Sequence, residues 1–209
     1  MEAIDHFMRA MRERHACKRF DPEKKIPEAQ LRTILQIGRL SPSSFGMEPW
    51  RFLVVRDREL KETLRPFCWN QPQITECSDL VVIKTIVAPL SPGAEYPRKM
   101  LSRRELPEEK IRAYFKKYDA FATEQFKNGG LACWGAKQCY IAAGNMMTGA
   151  MAMGIDSCAI EGYEKEKVEA VLGMDVARES LALMVAFGYR VKEPPAKVRL
   201  PLEEIVEFR

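Results

Sequence analysis

The sequence is poor in histidine: its 209 residues include only His6 and His15. That excludes a histidine-rich metal centre. Six cysteines are present, Cys17, Cys68, Cys77, Cys133, Cys139 and Cys158, yet no two form a CxxC pair and none has zinc spacing with a histidine. Free thiols in a reducing cytoplasm are the simplest reading. There is no GxGxxG after a strand and no GxxxxGK[ST], which removes the common dinucleotide and P-loop sites. GxSxG and HExxH are absent too, and no Ser or Cys is placed by sequence beside His15 to form a nucleophile triad. The N-terminus has charges in its first turns and no apolar signal core. The longest apolar stretch, Cys139 to Ile155, is short for a membrane span and contains Asn145 and Thr148, so it reads as a buried helix. Internal repeats and Gly/Ser-rich linkers are also lacking.

What is present is ordinary for a globular chain. Hydrophobic residues make up 46% and charged residues 30%. A chain of this length buries roughly 70% of its surface on folding, enough for a core without staples. The charge sum of 33 − 29 = +4 suits an acidic ligand but falls short of a nucleic-acid signature.

Ile4, Phe7, Met8 and Met11 recur at helical spacing, so the chain opens with an amphipathic helix. Pro27 then leads a second helix through Leu31, Ile34 and Leu35, which runs out at Ser41-Pro42-Ser43-Ser44. Trp50 to Val55 and Leu80 to Val87 read as strands, the second apolar on both faces except at Lys84 and therefore central. A short helix is expected from Glu59 to Leu64. Residues 88–107 hold four prolines and a poor pattern, and residues 88–128 as a whole read as an excursion rather than core. The basic run from Arg98 to Lys117 reads first as a solvated helix face, and second as a phosphate-attracting lid for an incoming cofactor. Leu131 to Met153 is a helix apolar on all sides, so it must be central, and Gly154 stops it. Met146, Met147, Met151 and Met153 read as core filler. Strands follow at Ser157 to Ile160 and Leu181 to Tyr189, with a small helix around Val168, Val171 and Leu172 between them. Residues 192–209 read as an extended arm. One α+β domain over residues 1–209 fits, with surplus apolar helix surface pointing to a dimer.

Five groups of polar residues could carry chemistry. Arg14-His15-Ala16-Cys17-Lys18 gathers cations near a helix end, which is also a pure stability device. Pro42-Ser43-Ser44, ahead of Glu48-Pro49-Trp50, offers hydroxyls that either donate to a ligand or satisfy their own turn. Asn70, near Gln73, has an amide able to read an imide edge. Ile160-Glu161-Gly162 ends a strand on a glycine, where a ligand can approach the backbone closely. Lys197-Val198-Arg199 places two cations on one side of an extended arm, where both can grip one dianion.

The order and spacing of these groups are more specific than any one of them. The segments ERHACKRF, SPSSFGMEPWRF, WNQPQ, WGAKQCYIAAGNMMTGAMAMGIDSCAIEGY and AKVRLP resemble the nitroreductase family of FMN flavoproteins. The likeness is to its oxygen-insensitive NAD(P)H nitroreductase and flavin reductase branch. It covers nearly the whole chain and is weakest from Ala88 to Asn128.

The resemblance implies an α+β sandwich with a central mixed sheet flanked by helices, an intertwined homodimer holding FMN at its interface. It implies that Arg14, Lys197 and Arg199 hold the FMN phosphate, with His15 and the backbone of Ala16 lining the same stretch. Lys18 would sit at the pyrimidine edge, where a cation stabilises charge on the reduced flavin. Asn70 would read the imide edge. Pro42, Ser43 and Ser44 would come from the partner subunit, with Gly46 on the same loop and Phe45 facing substrate. The backbone at Ile160, Glu161 and Gly162 would approach flavin N5. The implied reaction is ping-pong: NADPH or NADH delivers hydride, leaves, and a small-molecule acceptor (a nitroaromatic, quinone or free flavin) takes its place. No nucleic-acid or membrane partner is implied. Several positions depart from the family pattern: Ala16 for Ser, Gln73 for a Lys near the flavin edge, Phe45 and Gly46 for Thr- and Asn-like residues, and Ala159 for Pro. Two alternatives stand beside this reading. One is a flavoenzyme on the same scaffold with other chemistry, reductive dehalogenation or flavin destruction. The other is a non-enzymatic basic binding module resting on the Arg98–Lys117 run.

Overall fold

The computed structural model of the protein describes residues 2–209. Its frame is a four-stranded sheet, β1 (Trp50–Val55), β2 (Asp79–Ile86), β3 (Asp156–Ile160) and β4 (Glu179–Gly188), in the order β1-β2-β4-β3. The central position expected for the second strand is where β2 lies. The sheet departs from expectation in one respect: within the chain all three ladders are antiparallel, not mixed. The parallel element among the described residues is a single bridge, Ala16 to Ser157, which ties the chain after the first helix to β3.

The helices are α1 (Glu2–Glu13), α2 (Glu28–Arg39), α3 (Arg58–Leu64), α4 (Gln73–Glu76), α5 (Glu95–Ser102), α6 (Glu108–Lys127), α7 (Gly130–Ala152) and α8 (Lys165–Val171). Alternation along the strands sorts side chains into two layers. Val81, Ile83, Leu183, Val185 and Phe187 pack under α2 and α7, together with Ile34, Cys139, Ala142 and Met146. Leu80, Val82, Met184, Ala186, Cys158 and Ile160 face the other way, onto Leu64, Ile74 and Val168. The register of β2 against β4 shifts between Ile83 and Lys84. That bulge lets Ala182 and Leu183, though adjacent, face the same layer.

α7 is the central helix its composition requires. Gly135 lets it lie on β2: a Cβ there would meet Thr85 Oγ1 at 2.1 Å. Met146 and Met151 are buried, while Met147 and Met153 pack at the margin of the core.

Two findings go beyond the sequence pattern. Residues 88–128 are not merely peripheral: Leu90, Met100, Leu101, Ile111, Tyr118 and Ala122 bury against Met47, Ile86, Leu131 and Trp134 as a third cluster. The prolines that blur the pattern stand at the edges of helices, Pro107 directly ahead of α6. Second, α1 buries only Ala10, leaving Ile4, Phe7 and Met8 exposed. Residues 192–209 form an arm with one turn of 3-10 helix at Leu202–Glu204, exposing Leu202, Ile205 and Phe208.

Candidate active site

Four of the five polar groups meet around the end of β3. α1 stops at Glu13, and the bridge of Ala16 to Ser157 draws the next residues onto the sheet, where Cys17 N–H donates to the Ser157 carbonyl at 3.0 Å. Arg14 Nε lies 3.4 Å from Met11 Sδ. The arm returns to this point: Lys197 Nζ donates to the carbonyls of Met11, at 2.9 Å, and of Arg14. Lys197 is held below the usual lysine range by burial, then by the charges of Arg14 and Arg199. Three cations thus crowd one spot, and among the described residues none of them pairs with a carboxylate. A surface that gathers like charges without counter-charge is built for an anion.

His15 stands beside this cluster. Its Nδ1 is buried without a hydrogen-bond partner, 3.8 Å from Asp156 Oδ1, which is already engaged by Arg190 Nη1 at 3.2 Å.

Next along the site, Lys18 Nζ approaches Cys158 Sγ at 3.5 Å, and Gln73 Nε2 approaches the same sulfur at 3.9 Å. Burial pushes the Cys158 thiol up, with Lys18 opposing it. Gln73 is 2% exposed and donates at 2.9 Å to Gln71 Oε1, and Gln71 in turn donates at 2.9 Å to the carbonyl of Gly162.

Ile160, buried, ends β3, and Glu161-Gly162 form the turn that follows, closed by Tyr163 N–H on the Glu161 carbonyl at 3.0 Å. Tyr140 on α7 donates its hydroxyl to the Glu161 carboxylate. No Cβ fits at Gly162, because Trp69 Cε3 lies 2.5 Å from where it would be. Trp69 is 71% exposed, and Trp69 and Asn70 both adopt left-handed backbone, φ 54° and 52°. Arg65 holds that bend, donating from Nε to the Asn70 carbonyl at 3.3 Å. The Asn70 side chain makes no hydrogen bond among the described residues and is exposed.

The fifth group, the loop from Pro42 to Gly46, is held elsewhere. Ser43 Oγ accepts from Glu48 N–H at 2.8 Å, and Ser44 N–H donates to Gln138 Oε1 at 2.9 Å. Pro42 is exposed. Arg104 Nη2 donates to the Phe45 carbonyl at 2.6 Å and closes over Gly46, where a Cβ would meet it at 2.7 Å. The Phe45 ring, expected to face substrate, packs edge-on to Tyr118 at 5.5 Å and against Phe121 at 5.1 Å. Its polar contacts do not join it to Arg14 or Lys18 within one chain.

Sequence reasoning missed Gln71, Trp69, Cys158 and Gln138. The signal for Gln71 was present: two glutamines flanking Pro72, directly after an exposed tryptophan-asparagine pair.

Fold and site define an α+β protein in which three cations without a carboxylate partner lie near Lys18 and a glycine turn at the end of β3. Comparison with known proteins narrows this. Residues 11–189 match the nitroreductase family, and the chain belongs to that family. A protein from Staphylococcus haemolyticus, provisionally named an NAD(P)H nitroreductase, is 42% identical over 207 residues and covers 93% of each chain. A crystal structure from Exiguobacterium sibiricum, provisionally described as a nitroreductase in complex with FMN, superposes with TM-score 0.79 at 25% identity, covering 97% of both chains. A nitroreductase-like protein from Streptococcus mutans shares the fold with TM-score 0.88 at 18% identity and covers 99% of each.

Proposed function

We propose that the protein is an FMN-dependent oxidoreductase that uses NAD(P)H to reduce small acceptors, nitroaromatics, quinones or flavins, and works as a homodimer. The observation that carries this reading is the convergence of Arg14, Lys197 and Arg199 on one spot without a carboxylate. A phosphate near −2 supplies the missing counter-charge, and arginine can meet it with two parallel bonds. The orphaned His15 nitrogen and the Gly162 turn, too crowded for any side chain, suit the same ligand. The FMN held by the Exiguobacterium sibiricum relative and the NAD(P)H in the name of the Staphylococcus haemolyticus relative support the choice of cofactor and donor.

FMN, when bound, would supply the redox chemistry for a ping-pong cycle between NAD(P)H and the acceptor. The chain's own residues bind and orient. Arg14, Lys197 and Arg199 hold the phosphate, with His15 and the Ala16 backbone beside them. Lys18 holds positive charge at the pyrimidine edge and so favours the reduced flavin. Asn70 offers a free amide to the imide edge. The Gly162 N–H, without an acceptor among the described residues, is left to aim at the flavin's N5. Gln73, neutral where the family pattern has a lysine, leaves Lys18 as the one cation at that edge.

Two observations support a dimer. The exposed stripe of Ile4, Phe7 and Met8 on α1 is apolar surface with nothing to cover it in one chain. The arm carries Glu203, Glu204 and Glu207 among exposed apolar residues, and a groove of about 680 Å³ beside edge strand β1 carries Arg39, Arg51 and Lys99 besides Arg103, paired with Glu48, and Arg32, paired with Glu28. Pro42, Ser43 and Ser44 then reach the flavin from the second copy.

The test is uptake of FMN. Purified protein is expected to be yellow, or to become so on adding FMN, with one flavin per subunit, and to oxidise NADH or NADPH when a quinone or nitro compound is present. Folded, colourless protein that takes up no FMN would sink the proposal.

A further inference from the structure

We propose that Gln71 is a positioning residue for the flavin site: it pins the Gly162 turn and, through Gln73 and Cys158, ties that turn to Lys18. This inference rests on the FMN reading above and adds a residue to it.

Both amide protons of Gln71 are committed. Nε2 donates to the Cys68 carbonyl at 3.0 Å and to the Gly162 carbonyl at 2.9 Å. Two fixed acceptors leave the carboxamide one orientation, in which Oε1 accepts from Gln73 Nε2 at 2.9 Å. Gln73 then leans on Cys158 Sγ at 3.9 Å, and Lys18 Nζ reaches the same sulfur at 3.5 Å. The Cys158 thiol lies 3.4 Å from the Ala159 carbonyl, to which it can give its proton, so the sulfur faces Lys18 and Gln73 as an acceptor.

The chain Lys18–Cys158–Gln73–Gln71–Gly162 therefore joins the two points that address opposite edges of the flavin's ring system. Its need is clearest at Gly162. Glycine has the widest backbone freedom of any residue, and this one must be a glycine because Trp69 occupies the Cβ position. The Gly162 N–H shares a rigid plane with the Glu161 carbonyl, which Tyr163 N–H holds at 3.0 Å. Gln71 holds the next plane through the Gly162 carbonyl, so both peptide units flanking the glycine are fixed.

The experiment compares Gln71→Ala and Gln71→Glu with the wild type. The alanine removes the clamp. The glutamate keeps its volume but turns a carboxylate toward two carbonyl oxygens. FMN affinity is read by titrating apoprotein, and the flavin midpoint potential by reductive titration. Thermal unfolding of the apoprotein reports any purely structural effect. Both variants should bind FMN about tenfold more weakly, because a turn no longer held in place must be ordered when the ligand binds. Their midpoint potentials should fall, because Lys18 is less firmly held. Cys158→Ala should lower the potential in the same direction. The Gln71→Ala/Cys158→Ala double variant should lower it by less than the sum, since both break one chain. Wild-type FMN affinity and potential in both Gln71 variants overturn the inference while leaving the FMN reading intact. So does a change confined to thermal stability. Wild-type protein that binds no FMN overturns both.

Discussion

Lys197 reaches from the C-terminal arm to the end of α1, where its ammonium donates to the Met11 carbonyl at 2.9 Å. One side chain thereby joins the last segment of the chain to the first helix. It does so at the spot where Arg14 and Arg199 also gather, and where its own protonation is disfavoured by burial and then by both charges.

The double variant Lys197→Ala/Arg199→Ala should therefore lose ligand rather than fold. Each charge-assisted bond to phosphate contributes roughly 1.5–3 kcal/mol. Losing two should raise the FMN dissociation constant by about a hundredfold or more. Wild-type affinity should also weaken with added salt. Equilibrium dialysis with FMN alongside a melting curve separates the effects. Unchanged flavin occupancy would remove the arm from the site.

Asp79 is 1% exposed and accepts from Arg56 Nε and Ser78 Oγ, both at 2.6 Å. Arg56 also reaches Glu28 at 2.8 Å, so it fastens α2 to the start of β2. Arg56→Ala leaves a buried carboxylate with one donor and should cost about 2–3 kcal/mol in urea unfolding. A loss below about 0.5 kcal/mol, the scale of an ordinary surface change, would mean the pair is idle.

Stability should fall in alkali. Burial pushes the thiols of Cys17, Cys68 and Cys77 up to about 11 and that of Cys139 up to about 12, from an ordinary 9.0. Between those values the folded chain keeps protons that the unfolded chain releases. Their contribution is complete below pH 9 and drains away as pH rises toward 11–12. Denaturation curves at pH 8, 9.5 and 10.5 should show a declining unfolding free energy, and Cys139→Ala should flatten the slope. A level profile contradicts this account.

The sequence made the frame legible because its strands and helices carry strong patterns. Trp50 to Val55 was readable as a strand at both ends, and the nearly all-apolar run after Gly130 could only be an interior helix. Residues 88–128 were not readable in the same way. Their core is assembled from isolated side chains such as Leu90, Met100 and Tyr118, whose partners Met47 and Trp134 lie far off in sequence. Antiparallel pairing throughout the sheet was also hidden, since strand direction depends on connections rather than composition.

In the site, charged and glycine positions stood out while neutral linkers did not. Arg14, Lys18 and Lys197 lie in charged stretches and were singled out by the order and spacing of their motifs, not by their local setting. Cys158 was invisible because it is unremarkable until its neighbours are placed, and Gln71 left only the faint signal of two glutamines flanking Pro72. Phe45 shows the limit of reading a side chain from its loop alone: its ring has partners on α6 that no local pattern announces.

The third cluster touches the sheet layers chiefly through Ile86 and the first turns of α7, and it also seats the Phe45 loop. Side chains of that cap can therefore change while the two layers beneath stay packed, so divergence at this end of the molecule need not endanger how it stands.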